Sequence, residues 1–451
     1  MAMLIVKYIN SFLWDKFLIF FLASTGIYFT FKLKFVQVRY FWRSILNVFT
    51  KRAQQESEDG TEGMSAFQSL STAVAAQIGT GNLAGAATAI VSGGPGAIFW
   101  MWVCSFFGMS TAFAEAVLGQ KYRQNIEGEY AGGPAYYIKH GLKMPILAGI
   151  TSIALIITMG FICPMIQSNS LALSFSTAFN IPVYVIALVS ALLVGFVLCG
   201  GMARIARVTE MIVPFMALGY FIGGMIIILI NYQNIIPAFE MIFVGAFNPQ
   251  AIMGGALGVT VRQAVRYGVA RGLFSNEAGL GSTPHAHAVA KVKHPADQGF
   301  VAFFGVFVDT FIVLTITALV ILTSGVYGNG QTGIELTQSA FLAGLGGFGS
   351  VFIAIALFFF VFSTIIGWAF FAEENIKFLL VKKFGHKSIY VFRALVLVCV
   401  VVGAYMKVDL MWEMADTFYG LIAIPNLFAL LMLSKVIKKE LSDYDEKYGK
   451  D

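Results

Sequence analysis

Ala75-Ala76-Gln77-Ile78-Gly79-Thr80-Gly81-Asn82-Leu83-Ala84-Gly85 lies at the centre of an apolar stretch covering residues 65–91. Two glycines and an asparagine stand where a membrane-crossing helix should be most regular. Glycine inside a helix costs roughly 1 kcal/mol relative to alanine, and an unwound turn frees backbone groups that lipid cannot satisfy. Such backbone persists at membrane depth only where protein or a polar cavity covers it, and there it marks a substrate or ion site. A second interruption reads Phe274-Ser275-Asn276-Glu277-Ala278-Gly279-Leu280-Gly281. The competing reading of the first is that Gly81 and Gly85, four apart, only permit close helix packing.

The surroundings are those of an all-α polytopic membrane protein. Of 451 residues 58% are hydrophobic and 12% charged, where a soluble domain carries about 25% charged residues. Mean hydropathy is +0.78. Eleven apolar segments fall at about 11–31, 65–92, 97–120, 146–178, 181–200, 208–231, 250–290, 299–325, 346–380, 388–406 and 410–434. Basic residues cluster on alternate loops: Lys32, Lys34, Arg39, Arg43, Lys51 and Arg52, then 121–143, 201–207, 291–293, 377–393 and the tail. The opposite loops carry only Lys7, Lys16 and Lys407. By the bias of basic residues toward the cytoplasm, the N-terminus is outside and the C-terminus inside a multi-pass protein of the cell membrane. Topology thus accounts for the net charge of +6, and neither a nucleic-acid partner nor an obligate protein partner is expected.

Residues 1–451 read as one transmembrane domain: an extra N-terminal helix at 11–31, five helices over 65–231, five over 250–434, and a cytoplasmic tail at 435–451. The start lacks a basic region followed by a cleavage site, so the first span is expected to be retained. The acidic connector 53–63 reads as solvated. Residues 231–250 read as a helix lying on the outer surface, and 328–345 as an outer loop and lid. The first helix of each five holds a break with the pattern N-x-A-G, at Asn82 and at Asn276. The two enter from opposite sides, which makes an inverted repeat with a site near its midplane.

A mid-membrane break offers N–H groups at one half-helix end, suited to a carboxylate, and carbonyls at the other, suited to a small cation. Here these are the amides of Thr80, Gly81 and Asn82 and the carbonyls of Ala75, Gln77 and Ile78. Ser363 and Thr364 add two hydroxyls in an apolar span; uncharged oxygens suit sodium, whereas the bland alternative bonds both back to their own helix. Trp368, one turn on, would wall a small apolar pocket. Asp309, at mid-span, is a candidate for ion or gating work. Glu277 sits in the second break and is equally suited to holding that turn by accepting backbone N–H bonds. Glu115, Glu210, Glu373, Glu374 and Asp416 read as structural. Arg271, about 7 Å from the second break, needs a partner or a wet cavity. His285 and His287, two apart, do not share a helix face and read as structural. Cys104, Cys163, Cys199 and Cys399 lie in apolar runs and read as small packing residues. No phosphate loop, catalytic carboxylate pair or nucleophile motif is present, so neither an enzyme nor a cofactor is expected.

Gly93-Gly94-Pro95-Gly96-Ala97-Ile98-Phe99-Trp100-Met101-Trp102-Val103-Cys104-Ser105-Phe106-Phe107-Gly108 resembles the signature of the alanine or glycine:cation symporter family. Gln77 to Asn82 and Arg271 to Gly279 resemble two further family blocks, and the likeness runs from about residue 10 to 435. The resemblance implies sodium- or proton-coupled uptake of alanine or glycine on the leucine-transporter-like fold of two inverted five-helix repeats. It further implies one sodium at the Gln77 carbonyl, Asn82 and Asn276, and a second at the Ala75 and Ile78 carbonyls with Ser363 and Thr364. The substrate carboxylate would meet the amides of Thr80 and Gly81, and its ammonium the carbonyls near Phe274. Phe161, Gln167, Phe274 and Trp368 would wall the pocket.

Overall fold

An apolar chain in lipid must satisfy every backbone group within itself, and the helix does so segment by segment. The structure, a computed structural model, describes residues 2–50, 61–249, 260–406 and 408–448. Most of the acidic connector, the start of the 250–290 segment, and Lys51, Arg52, Lys407 and Lys450 lie outside the described residues. Helix α1 (Tyr8–Lys32) and the short α2 (Phe41–Phe49) precede α3, whose halves Ala66–Gln77 and Gly81–Gly93 are bent by 47°. Next come α4 (Gly96–Lys121), a hairpin β1 (Gln124–Ile126) and β2 (Glu129–Ala131), and α5 (Pro134–His140). Then follow α6 (Pro145–Phe179), α7 (Val183–Leu198), α8 (Gly201–Ile230) and α9 (Ile235–Phe247). The rest is α10 (Val261–Asn276), α11 (Pro284–Ala288), α12 (Pro295–Thr323), α13 (Gly333–Leu345) and α14 (Gly347–Phe384). It closes with α15 (Lys387–Gly403), α16 (Met411–Met432) and α17 (Ser434–Tyr448).

Among the described residues seven helices are long and apolar enough to cross a membrane, eight with the bent pair. Each of the eleven expected segments contains helical structure, which in 250–290 covers only Val261–Asn276 and Pro284–Ala288 among the described residues. However, α7, α10 and α15 have 16, 16 and 17 residues, short of the roughly 20 that a crossing takes. The fold is not wholly helical: β1 and β2 pair antiparallel across Glu127 and Gly128, whose φ of 54° and 90° suit a two-residue hairpin turn. The expected tail forms α17, tied back by Lys121–Glu440 at 2.7 Å and His294–Asp443 at 3.0 Å.

The breaks differ from each other. In α3 the first half starts with a Ser65/Gln68 capping box and stops at Ile78, whose ψ of 92° is extended. The chain turns helical again within two residues. In α10 a Thr260/Gln263 capping box opens the helix, and Glu277 ends it in the left-handed region, with Gly279 and Gly281 also at positive φ. Only the five-residue α11 follows. Beyond Asn276 the 250–290 segment therefore holds an irregular turn and this short helix rather than a second half-span. The second half of α3 packs on α10, and its first half on α8 and α14. A Cβ on Gly81 would stand 3.0 Å from the Ser275 Cα, so the two breaks meet at van der Waals contact.

Close approach also seats α9. Trp100 donates to the Ala246 carbonyl at 3.1 Å, and a Cβ on Gly96 would lie 2.1 Å from the Gly245 carbonyl carbon. Backbone cannot give way as a side chain can. Gly96→Ala is expected to destabilise by about 1–3 kcal/mol or more through overpacking. A thermal midpoint in detergent equal to that of the parent would remove this contact from the fold.

Candidate functional site

Three oxygens converge where the first half of α3 ends. Thr364 Oγ1 lies 2.8 Å from the Ala75 carbonyl and 3.1 Å from that of Ile78, all fully buried. A hydroxyl has one proton, so it satisfies one carbonyl and leaves the other facing oxygen. Gly79 makes the approach possible, since a Cβ there would sit 2.6 Å from Thr364 Oγ1. Ser363 is turned away: its hydroxyl donates to Phe360 O at 3.0 Å and lies 3.4 Å from Met216 Sδ.

Across the break the second polar centre is Asp309. Asn82 Nδ2 donates to its Oδ1 at 2.7 Å and to its carbonyl at 3.1 Å. Ser275 Oγ lies 3.0 and 2.9 Å from the two carboxylate oxygens, and Thr310 Oγ1 donates at 2.9 Å. Asn82 Oδ1 accepts from Gly79 N at 3.1 Å and so holds the turn. No hydrogen bond joins Asn276 to Asn82 among the described residues. Asn276 Nδ2 donates to Ser105 Oγ at 2.7 Å and lies 3.2 Å from Thr310 Oγ1. The two asparagines are thus joined through Thr310 and Asp309. Gln77 turns its side chain to the second break, donating to Asn276 O at 2.7 Å, while its buried Oε1 has no partner.

The restarting half of α3 presents its first amides nearby. Thr80 N donates to Gln167 Oε1 at 3.2 Å, while Thr80 Oγ1 and Gln167 Nε2 are buried without partners. A Cβ on Gly81 would lie 3.1 Å from the Phe274 ring, placing that ring beside these amides. Phe274 is boxed by Trp412, Tyr419 and Trp368, with ring centroids at 4.7, 5.0 and 6.2 Å. Trp368 also donates its indole N–H to Glu277. Phe161 is elsewhere, half-buried against Phe392 at 5.9 Å. A π turn over Ile156–Ile162 shifts the register of α6 at that point.

Arg271 finds its partner on α16. Nη1 and Nη2 donate to Asp416 Oδ1 and Oδ2 at 3.0 and 2.8 Å, and the guanidinium lies over Trp412 at 4.7 Å. The second break is held by Glu115, which accepts from Gly279 N at 3.1 Å, Gly281 N at 2.9 Å and Asn426 Nδ2 at 2.6 Å. Glu277, by contrast, accepts from Trp368 and from Ser282 Oγ at 2.6 Å. The sequence marked Glu115 and Asp416 as structural but showed neither partner, nor the roles of Ser105, Thr310, Trp412 and Tyr419. The spacing of Trp412, Asp416 and Tyr419, four and three apart on one helix face, was the available signal. His285 and His287 diverge, the first onto Ser282 O and Asn375, the second onto Gln298 and Ser69. The four cysteines are free; Cys163 is buried, but Cys199 is exposed.

The model of the sodium:alanine symporter family matches residues 1–451. The Sodium/alanine symporter AgcS of Methanococcus maripaludis is 42% identical, over 98% of this chain and 97% of that protein. A protein named Probable sodium/glutamine symporter GlnT, of Bacillus subtilis, is 40% identical over 99% and 92%. Among solved structures, MhsT in complex with L-phenylalanine superposes with a TM-score of 0.58 at 10% identity, covering 86% of this chain and 99% of that one. That likeness carries the fold.

Removing the Glu115 carboxylate leaves the buried amides of Gly279 and Gly281 unsatisfied and Asn426 Nδ2 with the Gly279 carbonyl alone. Glu115→Leu is expected to lower stability by about 1–3 kcal/mol for each orphaned group, and Glu115→Gln by less. Thermal melts in detergent check this, and equal midpoints for Leu, Gln and the parent would show that the turn does not depend on Glu115.

Proposed function

This chain belongs to the sodium:alanine symporter family, and from that premise we propose that it imports alanine and glycine with sodium by alternating access. Membership makes it a membrane transporter and not an enzyme; the sodium coupling, the cargo and the site assignments are the proposal. It also includes entry from the side of the N-terminus, with the C-terminus in the cytoplasm, as the basic-residue pattern indicates.

The observation that carries the reading is the cluster of Thr364 Oγ1 with the Ala75 and Ile78 carbonyls. Neutral hard oxygens, two from the end of a half-helix and one from the middle of a second helix, suit a small monovalent cation. A sodium there would pin the first half of α3 to α14. Ser363 would need to turn to join it. A second sodium near Asn82 and Asn276 would draw its counter-charge from Asp309, the buried carboxylate that links them.

The substrate carboxylate is placed on the amides of Thr80 and Gly81. Gln167 Oε1 now occupies the Thr80 amide. A carboxylate is the stronger acceptor, so it would displace the amide oxygen and leave Gln167 Nε2 free to donate to it. The ammonium would face carbonyls near Phe274, and the Phe274 and Trp368 rings would limit the side chain to a hydrogen or a methyl. Closure around this group exchanges the accessible side.

Proteoliposomes carrying a sodium gradient test the reading: labelled alanine should accumulate, and collapse of the gradient should stop it. Accumulation indifferent to sodium would refute sodium coupling. Thr364→Ala is expected to raise the sodium concentration for half-maximal uptake by about ten-fold or more, with Thr364→Ser close to the parent. An unaltered sodium response in Thr364→Ala would remove that residue from the site.

A second reading, coupling to protons, rests on Asp309 and Glu277, both fully buried and bonded only to neutral donors among the described residues. It requires that Asp309→Asn or Glu277→Gln abolish uptake driven by a pH gradient. Survival of that uptake in both variants would discard it.

A further inference from the structure

The chain leading into α3 is clamped on both sides by isolated backbone bridges. Glu62 N donates to Gly128 O at 2.8 Å and Tyr130 N to Glu62 O at 3.1 Å, so the β1–β2 hairpin holds one edge. Met64 N donates to Val289 O at 2.9 Å and Lys291 N to Met64 O at 2.8 Å, so the segment after α11 holds the other. The fit is close: a Cβ on Gly63 would stand 2.6 Å from Val289 O and 3.1 Å from Lys291 Cγ. Glu62 and Lys291 are thereby fixed near the start of α8, where both line a cavity of about 280 Å³.

Met202, Ala206 and Arg207 of α8 and Gln68 of α3 also line it. Gln68 is committed, its Nε2 to Glu210 Oε2 at 2.9 Å and its Oε1 to Ser65 N at 3.0 Å. The three charged side chains are not: among the described residues Glu62, Arg207 and Lys291 have no side-chain hydrogen bond or ion pair. Two cations and one carboxylate over the buried Met202 and Ala206 suit a ligand that carries both an anion and a cation.

Arg207 also opens the face that α8 turns away from the bundle. Met211, Phe215, Leu218 and Ile222 follow it three or four positions apart, and all are exposed. That spacing is one helix face, and α8 is long and apolar enough to cross a membrane, so the face meets lipid. Leu218 lies about 16 Å beyond Arg207 along the axis, close to half of the roughly 30 Å hydrocarbon core. A lone arginine at a helix end only reaches for water. Here a second cation and a carboxylate come from other segments and converge on one hollow at the end of an apolar face.

We propose that this hollow is a headgroup site for a phospholipid with a primary amine, phosphatidylethanolamine. Its phosphate lies between Arg207 and Lys291, its ammonium meets Glu62, and its acyl chains follow Met211, Phe215 and Leu218. Arginine and lysine both bind phosphate, and a carboxylate suits an ammonium with N–H groups to donate, which a choline headgroup lacks. The bound lipid ties the segment leading into α3 to α8. The assignment is independent of the cargo.

In the test, the purified full chain in detergent is offered equimolar phosphatidylethanolamine, phosphatidylglycerol and phosphatidylcholine, and retained lipid is counted by native mass spectrometry. The parent is expected to retain phosphatidylethanolamine first. Arg207→Gln and Lys291→Gln should each lower that occupancy about five-fold, the factor a basic residue contributes near the headgroup plane. Glu62→Gln should move the preference to phosphatidylglycerol. Arg207 and Glu62 are exposed, and thermal midpoints equal to the parent's before lipid is added show that the variants fold. Arg207→Lys, which keeps the charge, should retain most of the occupancy. Glycerophosphoethanolamine, the headgroup without chains, should not compete at equal concentration. Equal retention of the three lipids, unchanged occupancy in the Arg207→Gln/Lys291→Gln double variant, or displacement by glycerophosphoethanolamine overturns the proposal.

Discussion

Two turns of unwound backbone in an apolar bundle must find their hydrogen-bond partners among side chains. A freed amide or carbonyl has no water to turn to, and leaving it bare costs about 1–3 kcal/mol. Nearly every buried polar residue around the breaks answers that demand. Glu115 takes the amides of Gly279 and Gly281, Asn82 that of Gly79, Gln167 that of Thr80, and Thr364 meets the carbonyls of Ala75 and Ile78. The partners come from α4, α6 and α14 as well as from α3 itself. The requirement to satisfy the breaks therefore decides which helices must adjoin them.

The two breaks meet the demand differently, and their roles separate accordingly. The first is closed by neutral groups: two amides, a hydroxyl and backbone. The second is closed by carboxylates, with Glu115 beneath the turn and Glu277 inside it, while Asp309 bridges the two. Neutral partners are exchangeable for a ligand at small electrostatic cost. A buried carboxylate holding two amides is not, since its loss strands charge and donors together. Under the proposed function the first break is the one that cargo and cation would open, and the second the one that holds its shape.

Much of this was legible in the chain. Glycines within an apolar run announce backbone that is not helical, and Thr364 opposite Ala75 and Ile78 follows once the family likeness is admitted. What could not be read was pairing over long separations. Asn82 and Asp309 are 227 positions apart, and Asn276 and Ser105 171; no local periodicity encodes either contact. Register was the other obstacle. Phe161 and Gln167 are six positions apart, about 120° around even a regular helix, and the π turn over Ile156–Ile162 shifts the register further; only Gln167 reaches the site. The second half-span expected after Asn276 failed because composition cannot tell a buried turn from a buried helix.

The bond between Gln167 and the Thr80 amide has a consequence for turnover. A carrier must make one leg of its cycle empty. If an unloaded site leaves bare donors in a dry core, that leg is uphill, and the protein is confined to swapping one cargo molecule for another. Here Gln167 Oε1 takes the Thr80 amide and leaves only its own Nε2 bare, so under the proposed function the unloaded form would shut and reset with one orphan donor fewer. Under the proposed function the same side chain would compete with every arriving amino acid, and the affinity surrendered to it would favour net accumulation over exchange.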